Sequence, residues 1–432
     1  MKIATVFSGI GAPEQAASRV FKKVKLVFAC EIDKFARKSF EAIYNINPKR
    51  FHTDITKTDF SKYRKKVDIL IGGSPCQSFS IAGGRAGFED TRGTLFFDFA
   101  RCIKECQPKY FIFENVKGIV NHDNGKTLSV ILYVFNELGY AITLDILNTK
   151  DFGVPQNRER FFVIGKRKHK QTSMPKMKNG KLLKDKMWNA FVGKGLKWFD
   201  AYKFPTPIPL EKRLKDVLED DVDEKYYLSE KAIKGFIHHT NRMQERGNGF
   251  NFSPTLGECV ASSITTKSGT RPCDNFIKVI GELDIKGNDR IKRVYGDDDV
   301  RPALQTMQGG NREPKILVKS ATKKGYDEAE YGDSINLSVP NSKTRRGGVG
   351  KQVSQTLDTS CNLAFLGDRI RKLTPLECWR LHDFPDEAFN KAKNAGLSDT
   401  QLYKQAGNSM SVNVIELLFK NIKKDMEHEK HT

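Results

Sequence analysis

The first 165 residues alternate between short apolar runs and amphipathic stretches. Apolar runs bounded by turn residues predict buried strands, and apolar positions three and four residues apart predict the helices between them. The predicted strands are Ile3–Phe7, Leu26–Ala29, a weaker stretch before Asp54, Val67–Ile71, Tyr110–Phe113, Ala141–Leu147 and Phe161–Ile164. The predicted helices are Asp33–Tyr44, Thr94–Cys106 and Lys126–Leu138. This alternation indicates an α/β fold with a doubly wound, Rossmann-like parallel sheet.

Each of the first five predicted strands ends in a polar residue or a tight turn. These ends are the turn Ser8-Gly9-Ile10-Gly11, the carboxylates Glu31 and Asp54, the turn Gly72-Gly73-Ser74-Pro75-Cys76, and Glu114-Asn115. Parallel strands bring such groups together at the carboxyl edge of the sheet, where open α/β folds bind ligands. A thiol, several carboxylates and a glycine turn at one edge therefore predict an active site.

The amino-acid composition of the chain changes after Gly165. Residues 166–197 are rich in lysine, residues 204–209 are rich in proline, and residues 240–365 are polar with short β-like pieces. We expect a catalytic domain formed by residues 1–198 and 399–432, with a smaller, mixed, β-rich domain over 199–398. The amphipathic stretch Val412–Ile422 predicts a helix that returns to the first domain, and the last ten residues are expected to fray.

One pattern recurs in the second part of the chain: a Val, an aliphatic residue four positions later, and a Thr two positions after that. The three copies end at Thr266, Thr306 and Thr359. Their unequal spacing excludes a solenoid. Two interpretations stay open, because the copies fit ordinary alternating strands as well as loops that each touch a ligand.

Charge and cysteine usage narrow the class of protein. The 432-residue chain carries a formal net charge of +21, which favours a polyanionic partner. No apolar run approaches the ~20 residues of a membrane span, and the N-terminus lacks a signal-peptide pattern. The eight cysteines include no C-x-x-C pair, and Cys102 and Cys106 have helical spacing. We expect reduced thiols, a cytoplasmic location and no metal site.

The glycine turn after the first strand predicts a nucleoside site. Gly9 and Gly11 precede a helix, whose N-terminal amides would face the ligand. Glu31 lies about 20 residues further on, where an acidic side chain binds ribose hydroxyls in dinucleotide folds. Glu14 occupies the place of the third glycine in the dinucleotide fingerprint, which disfavours NAD or FAD.

Cys76 is the candidate nucleophile. It follows Pro75 in a turn rich in glycine and serine, which presents a thiol better than it buries one. A free cysteine has a pKa of about 8.5, so a thiolate would need nearby cations, and Arg158 and Arg160 are candidates for that role. No histidine occupies a comparable position, which disfavours a Cys/His protease.

Taken together, these segments resemble the C5-cytosine DNA methyltransferases. The resemblance covers the chain except roughly residues 170–290. It rests on Phe7-Ser8-Gly9-Ile10-Gly11-Ala12, Glu31, Asp54, Pro75-Cys76-Gln77, Arg92-Gly93-Thr94-Leu95, Glu114-Asn115-Val116, Gln156-Asn157-Arg158-Glu159-Arg160, Arg371–Cys378 and Gln405-Ala406-Gly407-Asn408-Ser409, all in the family's order. The stretch from Ile291 to Ile316 further resembles bacterial and phage members.

The resemblance implies a catalytic role for four residues. Cys76 would add to C6 of the cytosine ring, and Glu114 would contact N3 and the exocyclic amine. Arg160 would lie near O2, with Arg158 supporting the site. No residue is identified as the base that removes the C5 proton.

The resemblance also implies S-adenosyl-L-methionine as cofactor. The cofactor contacts carried over are Phe7, Gly9, Gly11, Glu31, Asp54, Pro75, Leu95, Asn408 and Ser409. Duplex DNA is the expected partner, and its target cytosine must flip out of the helix. The expected DNA contacts are Gln77, Ser80, Thr266, Thr306 and Arg312.

The biological role is left open between two cases, an enzyme paired with a restriction endonuclease acting on the same site and a stand-alone phage or bacterial enzyme. A monomer is expected. Three rival functions remain: a transfer-RNA cytosine-5 methyltransferase, a catalytically inactive DNA-binding paralogue, and an NAD-dependent enzyme.

Overall fold

The computed structural model describes most of the first half of the chain, parts of its middle and nearly all of its C-terminal region. The described residues are 1–75, 95–179, 182–246, 252–254, 259–272, 274–280, 316–319, 326–329, 334–336, 349–350, 363–365 and 368–429. The chain divides into two compact units. The first comprises Met1–Val217, Glu258–Ser268 and Pro375–Thr432, and the second comprises Leu218–Gly257 and Gly269–Thr374.

The boundaries of these units differ from the predicted boundaries. Residues 199–217 and 375–398 belong to the first unit, because their apolar side chains are buried within it. Tyr202, for example, donates a hydrogen bond from its hydroxyl to the carbonyl of Leu418 over 3.3 Å. The Trp379 indole likewise donates to the Leu402 carbonyl over 3.1 Å. Proline-rich composition therefore marks no unit boundary here.

A seven-stranded sheet forms the centre of the first unit, in the order β3-β2-β1-β4-β5-β8-β6. The strands of this sheet are β1 (Lys2–Val6), β2 (Lys25–Cys30), β3 (Phe51–His52), β4 (Ile69–Gly72), β5 (Tyr110–Val116), β6 (Tyr140–Asn148) and β8 (Glu159–Arg167), whereas the short strand β7 (Gln156–Asn157) lies outside it. The first five are parallel, whereas β8 runs antiparallel to both β5 and β6. The doubly wound α/β prediction is confirmed, and β8 departs from the purely parallel sheet that alternation had indicated.

Helices cover both faces of this sheet. The helices of the described chain are α1 (Ala12–Val20), α2 (Lys34–Tyr44), α3 (Leu95–Cys106), α4 (Lys126–Glu137), α5 (Leu183–Val192), α6 (Glu230–Glu245), α7 (Pro375–Arg380), α8 (Asp386–Asn394), α9 (Asp399–Asn408) and α10 (Val412–His428). Within these described segments, no helix combines the length and apolarity that crossing a membrane requires.

One face of the sheet is packed by aromatic rings from α3 and α4. Phe99 of α3 lies 5.5 Å from Phe113 of β5, and Phe135 of α4 lies 4.5 Å from Phe111, measured between ring centroids. The alternation of side chains along β5 sends Phe111 and Phe113 to this face and Tyr110 and Ile112 to the other. The periodicity of the sequence thus determined which residues fill the core.

The opposite face is closed by α10, which is tied to the sheet by a buried charge. Lys166 of β8 is 5% exposed, and its ammonium group lies 2.7 Å from carboxylates of both Asp425 and Glu429. The Tyr110 hydroxyl donates to the same Asp425 carboxylate over 2.7 Å. These contacts keep α10 helical to His428, so the expectation that the last ten residues fray is wrong through that residue.

The described parts of the second unit are mainly antiparallel β-structure. The strands β10 (Phe276–Ile280) and β16 (Asp368–Lys372) pair with each other, as do β11 (Ile316–Lys319) and β12 (Tyr326–Ala329). Strand β13 (Ser334–Asn336) pairs with β14 (Val349–Gly350) and β15 (Leu363–Phe365). Helix α6 contributes Phe236 to a ring cluster with Phe252 and Phe276. The short strand β9 (Ala261–Ser262) belongs to the first unit, where it pairs with β7.

The buried Lys166 cluster yields a stability prediction. Lys166→Met keeps most of the side-chain volume but leaves the buried Asp425 carboxylate without its cation, so we expect a loss of about 3 kcal/mol in the free energy of unfolding. Lys420→Met on the exposed side of α10, where the lysine pairs with Glu416, is the matched control and should cost less than about 0.5 kcal/mol. Urea unfolding monitored by tryptophan fluorescence measures both. Equal losses of unfolding free energy in the two variants would show that the buried ion pair contributes no more to stability than the exposed one.

Candidate active site

A cavity of about 570 Å³ opens at the carboxyl edge of the central sheet, within the first unit. Most of the residues predicted from strand ends line it. They are Phe7, Gly9, Glu31, Asp54, Pro75, Leu95, Glu114, Arg158, Arg160 and Asn408. The structure therefore brings together, around one cavity, residues as far apart in the chain as Phe7 and Asn408.

The turn from Phe7 to Gly11 forms one end of this cavity. Phe7, Gly9 and Gly11 all have left-handed backbone angles, with φ of +54°, +55° and +83°. Such a conformation is unfavourable for a bulky residue such as Phe7, and strain of this kind concentrates at functional sites. Gly11 lies behind the turn rather than on the cavity wall. A Cβ there would come within 2.2 Å of the Tyr44 ring, so only glycine fits.

Glu31 is fixed against the glycine turn by backbone amides. Its Oε2 accepts a hydrogen bond from the Gly9 amide over 2.8 Å, and its Oε1 accepts one from the Asp33 amide over 2.9 Å. Burial raises the pKa of the Glu31 carboxyl, while these two hydrogen bonds oppose the rise. The side chain is therefore oriented before any ligand arrives, with lone pairs left to accept from hydroxyl groups.

Asp54 differs from Glu31 in being more open to solvent and locally hydrogen-bonded. Its Oδ1 accepts from the amide and from the hydroxyl of Thr56, over 2.9 and 2.7 Å. These bonds, led by the Thr56 hydroxyl, lower the pKa of the Asp54 carboxyl. Asp54 is thus an ionised acceptor on the cavity rim.

Glu114 and Arg160 form an ion pair at the other end of the cavity. The Arg160 Nε lies 3.2 Å from Glu114 Oε1, with side chains 19% and 13% exposed. Gly73 lies directly against the Glu114 carboxylate, and a Cβ on Gly73 would lie only 2.8 Å from Glu114 Oε2. This pair presents a carboxylate acceptor beside guanidinium donors, an arrangement that can hold a flat ring carrying both polar donors and acceptors.

Arg158 lies beneath this pair and is 4% exposed. Its guanidinium donates to the carbonyls of Gly407 and Ser409, over 3.3 and 2.8 Å, and no described residue accepts a hydrogen bond from its buried Nε. Burial, reinforced by the charge of Arg160 and opposed by that of Glu114, lowers the pKa of Arg158 to about 9. Its contacts therefore connect the strand that carries Arg160 to the end of α9.

Residues of the α9 segment complete the wall. Asn408 lines the cavity, whereas Ser409 is buried behind it and serves the site through its carbonyl group. Gln405, to which sequence reasoning assigned no role, holds α9 against α2. Its side chain accepts from the Ser39 hydroxyl over 2.9 Å and donates to the Phe35 carbonyl over 3.1 Å.

Two further residues were not given individual roles at the sequence level, although their motifs were noted. Asn115 is buried and donates from its side-chain amide to the Ser74 carbonyl over 3.0 Å, which anchors the chain just before Pro75. Ser74 is itself buried on the cavity wall, and its hydroxyl finds no hydrogen-bond partner in the described segments. The position of Asn115 directly after the predicted carboxylate was the one available signal.

His382 is another residue to which the sequence analysis assigned no role, because it lies in a polar stretch of the sequence. It is fully buried, and its Nδ1 lies 3.4 Å from the Ser411 hydroxyl. Burial, together with the charges of Arg158 and Arg160, holds its pKa well below 6.5. The histidine is thus neutral.

Several predicted residues lie outside the described residues. They are Cys76, Gln77, Ser80, Thr306 and Arg312. Thr266 is described, and it belongs to the first unit rather than to the second, where prediction placed it. Its side chain is exposed, and its backbone approaches α9 so closely that a Cβ on Gly407 would lie 2.5 Å from the Thr266 nitrogen. Across the described ranges, no cluster of three His, Cys, Asp or Glu side chains could hold a metal ion.

Comparison with known proteins adds relatives of this fold and site. The chain is 38% identical over 497 residues to the orphan methyltransferase M.Rho11sI of Bacillus phage rho11s, covering 98% of this chain and 97% of that protein. It is 32% identical over 421 residues to the type II methyltransferase M.HpaII of Haemophilus parainfluenzae, covering 96% and 87%.

Solved structures share the fold at low sequence identity. The Schizosaccharomyces pombe Dnmt2 methyltransferase aligns with a TM-score of 0.59 at 15% identity, covering 99% of both chains. A Spodoptera frugiperda DNMT2 mutant aligns with a TM-score of 0.55 at 18% identity, covering 98% of this chain and 99% of that one. Residues 1–424 match the family model for C-5 cytosine-specific DNA methylase. The chain belongs to this family and is a DNA cytosine-5 methyltransferase.

Proposed function

We propose that this enzyme transfers a methyl group from S-adenosyl-L-methionine to C5 of a cytosine that is flipped out of a short, specific duplex DNA sequence. The observation that carries the proposal is the single cavity that holds both the Glu31 carboxylate against a glycine turn and the Glu114–Arg160 pair. One end suits a nucleoside and the other suits a pyrimidine ring. A cofactor and a target base could therefore be held face to face.

The residues at the first end fit S-adenosyl-L-methionine. When bound, this cofactor supplies an electrophilic methyl group. The preoriented Glu31 carboxylate would accept hydrogen bonds from ribose hydroxyls, and the ionised Asp54 would accept from the adenine amine. Phe7 and Leu95 supply apolar wall area, Gly9 permits close approach, Pro75 bounds the cavity, and Asn408 would contact the methionine end. Gly11 and Ser409 would act without contacting the cofactor. Gly11 would allow the backbone conformation of the turn, and the Ser409 carbonyl would position Arg158.

The residues at the second end fit covalent activation of cytosine. The Cys76 thiolate would form a bond to C6, and the electron pair of the C5–C6 double bond would move toward C5 and N3. Glu114 would stabilise the proton on N3 and contact the exocyclic amine, while Arg160 would contact O2. After methylation, loss of the C5 proton would re-form the double bond and expel Cys76. Preorganised charges of this kind are the largest source of catalysis in many enzymes.

The second unit is proposed to be the target recognition domain. A domain that reads DNA has to hold the duplex while the target base leaves the stack, which costs a few kcal/mol. The net charge of +21 supports binding to a phosphate backbone. The proposed DNA contacts remain Gln77, Ser80, Thr266, Thr306 and Arg312, of which Thr266 is exposed as a contact residue must be.

We further propose that the enzyme acts in the cytoplasm as a monomer and without an obligatory restriction partner. Independence from a restriction partner is supported by the similarity to phage proteins named orphan methyltransferases, which exceeds the similarity to the type II enzyme M.HpaII. The alternative is a restriction-modification enzyme that shares its site with an endonuclease.

The direct test is methylation of unmethylated plasmid DNA with the purified protein and S-adenosyl-L-methionine, followed by bisulfite sequencing. We expect protected cytosines in one short context, or in more than one if several loops read DNA. Cys76→Ser should lose at least about a thousandfold in rate, because serine is a far weaker nucleophile at neutral pH. Wild-type protein should form a stable adduct with duplex DNA containing 5-fluorocytosine. Methylation of transfer RNA but not of DNA would refute the proposed substrate, and protection by Cys76→Ser would refute the nucleophile.

Glu31 yields a prediction for cofactor binding. Glu31→Gln removes the charged acceptor, so the dissociation constant for S-adenosylhomocysteine should rise about 10- to 100-fold, the value of one to two hydrogen bonds to a charged group. Glu41→Gln, on the exposed side of α2, is the matched control and should leave binding unchanged. Isothermal titration calorimetry measures both. An unchanged dissociation constant for Glu31→Gln would exclude Glu31 from the cofactor site.

Gly73 yields a prediction for catalysis. A methyl group on Gly73 would push the Glu114 carboxylate away from Arg160, so Gly73→Ala should reduce methyl transfer by about 100-fold, the usual consequence of misplacing a catalytic group by an ångström. Gly235→Ala, where nothing lies within 4 Å of the new Cβ, should retain full activity. Initial rates of radiolabel incorporation, together with melting temperatures, separate this effect from unfolding. Full activity of Gly73→Ala would show that Glu114 tolerates displacement.

A further inference from the structure

The first turn of α1 contains a buried carboxyl that the proposed chemistry does not use. Glu14 is only 6% exposed, although it lies three residues after the glycine turn that lines the cofactor end of the cavity. One of its oxygens, Oε1, lies 2.6 Å from the Thr5 hydroxyl, and the other, Oε2, is buried without a hydrogen-bond partner among the described residues. An ionised carboxylate is costly in such a place unless it is paired.

The carboxyl of Glu14 heads a chain of oxygen atoms that reaches the turn. Thr5 Oγ1 lies 2.6 Å from Glu14 Oε1 and 2.9 Å from Ser8 Oγ, which lies 3.1 Å from the Cys30 carbonyl. The Ser8 oxygen also accepts from the Cys30 amide over 3.1 Å. The chain thus joins β1, the turn and the end of β2, directly beside Glu31.

Counting hydrogens along this chain shows what Glu14 contributes. Three oxygen–oxygen contacts each need one hydrogen, but the hydroxyls of Thr5 and Ser8 supply only two. With an ionised Glu14, Thr5 donates to the carboxylate, Ser8 donates to Cys30, and no hydrogen remains between Thr5 and Ser8. With a protonated Glu14, the carboxyl donates to Thr5, Thr5 donates to Ser8, and every contact is a hydrogen bond.

Within the part of the chain that the structure describes, the neighbouring charged and titratable groups leave Glu14 without a counter-ion. Tyr44 of α2 uses its hydroxyl to donate to the Gly11 carbonyl over 2.6 Å. Arg19, in the last turn of α1, forms ion pairs with Asp383 and with Glu416 of α10. Lys423 of α10 donates a hydrogen bond to the Val20 carbonyl. Glu31, across the turn, is a second carboxyl whose pKa burial raises. Burial also raises the pKa of Glu14, to about 7, against the lowering effect of the Thr5 hydroxyl and of its own amide.

We propose that Glu14 is a positioning residue whose protonated form completes the hydrogen-bond chain through Thr5 and Ser8, so that the cofactor turn is held in its binding shape and cofactor binding takes up a proton. This inference rests on the proposed use of S-adenosyl-L-methionine. Glu14 touches no reacting atom. It acts on the turn, and the turn contacts the ligand.

The direction of the pH effect follows from linkage. Because the folded pKa of Glu14 lies above the ordinary value of 4.5, its contribution to folding is fully present below that value and is lost as the pH rises through about 7. A bound cofactor would cover the turn and would therefore keep water from reaching an ionised Glu14. The bound state therefore has the higher pKa, and affinity falls as the pH rises above about 7, by at most tenfold per pH unit for one proton.

The test is calorimetric titration of the full-length protein with S-adenosylhomocysteine, from about pH 6 to about pH 8.5, in pairs of buffers with different ionisation enthalpies. The heat difference between buffers counts the protons taken up. We expect the wild type to take up a measurable fraction of a proton near neutral pH and to lose about three- to tenfold in affinity per unit above pH 7. Glu14→Gln should bind with unchanged affinity at low pH and a flat profile, because its amide can donate to Thr5 without titrating.

Two further variants isolate the pathway. Thr5→Val interrupts the chain while leaving Glu14 in place, so it should bind more weakly at low pH and also lose the pH dependence. Glu41→Gln should retain the wild-type profile. The difference between the wild type and Glu14→Gln measures the contribution of Glu14.

The outcomes separate the two proposals. A wild type that binds S-adenosylhomocysteine without proton uptake, or a Glu14→Gln profile that matches the wild type, would overturn the role of Glu14 and leave the enzyme's function intact. Retained pH dependence in Thr5→Val would overturn the pathway through the hydroxyls. Failure of the wild type to bind at any pH would refute the proposed cofactor itself.

Discussion

The antiparallel pairing of β8 with β5 is the constraint on which the site depends. This register sets Arg160 opposite Val116 and Phe162 opposite Glu114, so the Arg160 and Glu114 side chains emerge on the same face as diagonal neighbours. A shift of one residue would send Arg160 to the other face and would break the ion pair. The register is held by the core, because Phe111, Phe113, Phe161 and Val163 are all fully buried.

The polar groups of the site are positioned mostly by backbone atoms rather than by one another. Glu31 is oriented by amides, Arg158 by carbonyls at the end of α9, and Pro75 through the Asn115 contact to the preceding carbonyl. Backbone groups in a packed core cannot rotate away, so these side chains are held before a substrate arrives. Such preorganisation is the main advantage that a folded site has over solvent.

Groups that the chemistry never touches set the electrostatic character of the cavity. Arg158 and His382 are both buried, and burial together with the arginine charges keeps the histidine neutral. On the other side of the sheet edge, Glu14 is buried where a glycine would stand in a dinucleotide fold. The pKa of each group is determined by burial first and by neighbouring charges second, so the site depends on the exclusion of water as much as on its own charges.

The sequence by itself determined the sheet, the helices that flank it and the strand ends that line the cavity, because these follow from local apolar periodicity and from the rule that parallel strands share a carboxyl edge. Glu31, Glu114 and Pro75 were found in this way. Only the tertiary structure decided that β8 runs antiparallel, that residues 199–217 and 375–398 belong to the first unit, and that Thr266 does too. Those outcomes depend on contacts between segments hundreds of residues apart, such as Arg158 with Ser409, or Lys166 with Asp425. Local periodicity carries no information about which distant surface an apolar side chain or a buried charge will meet, and packing settles that choice.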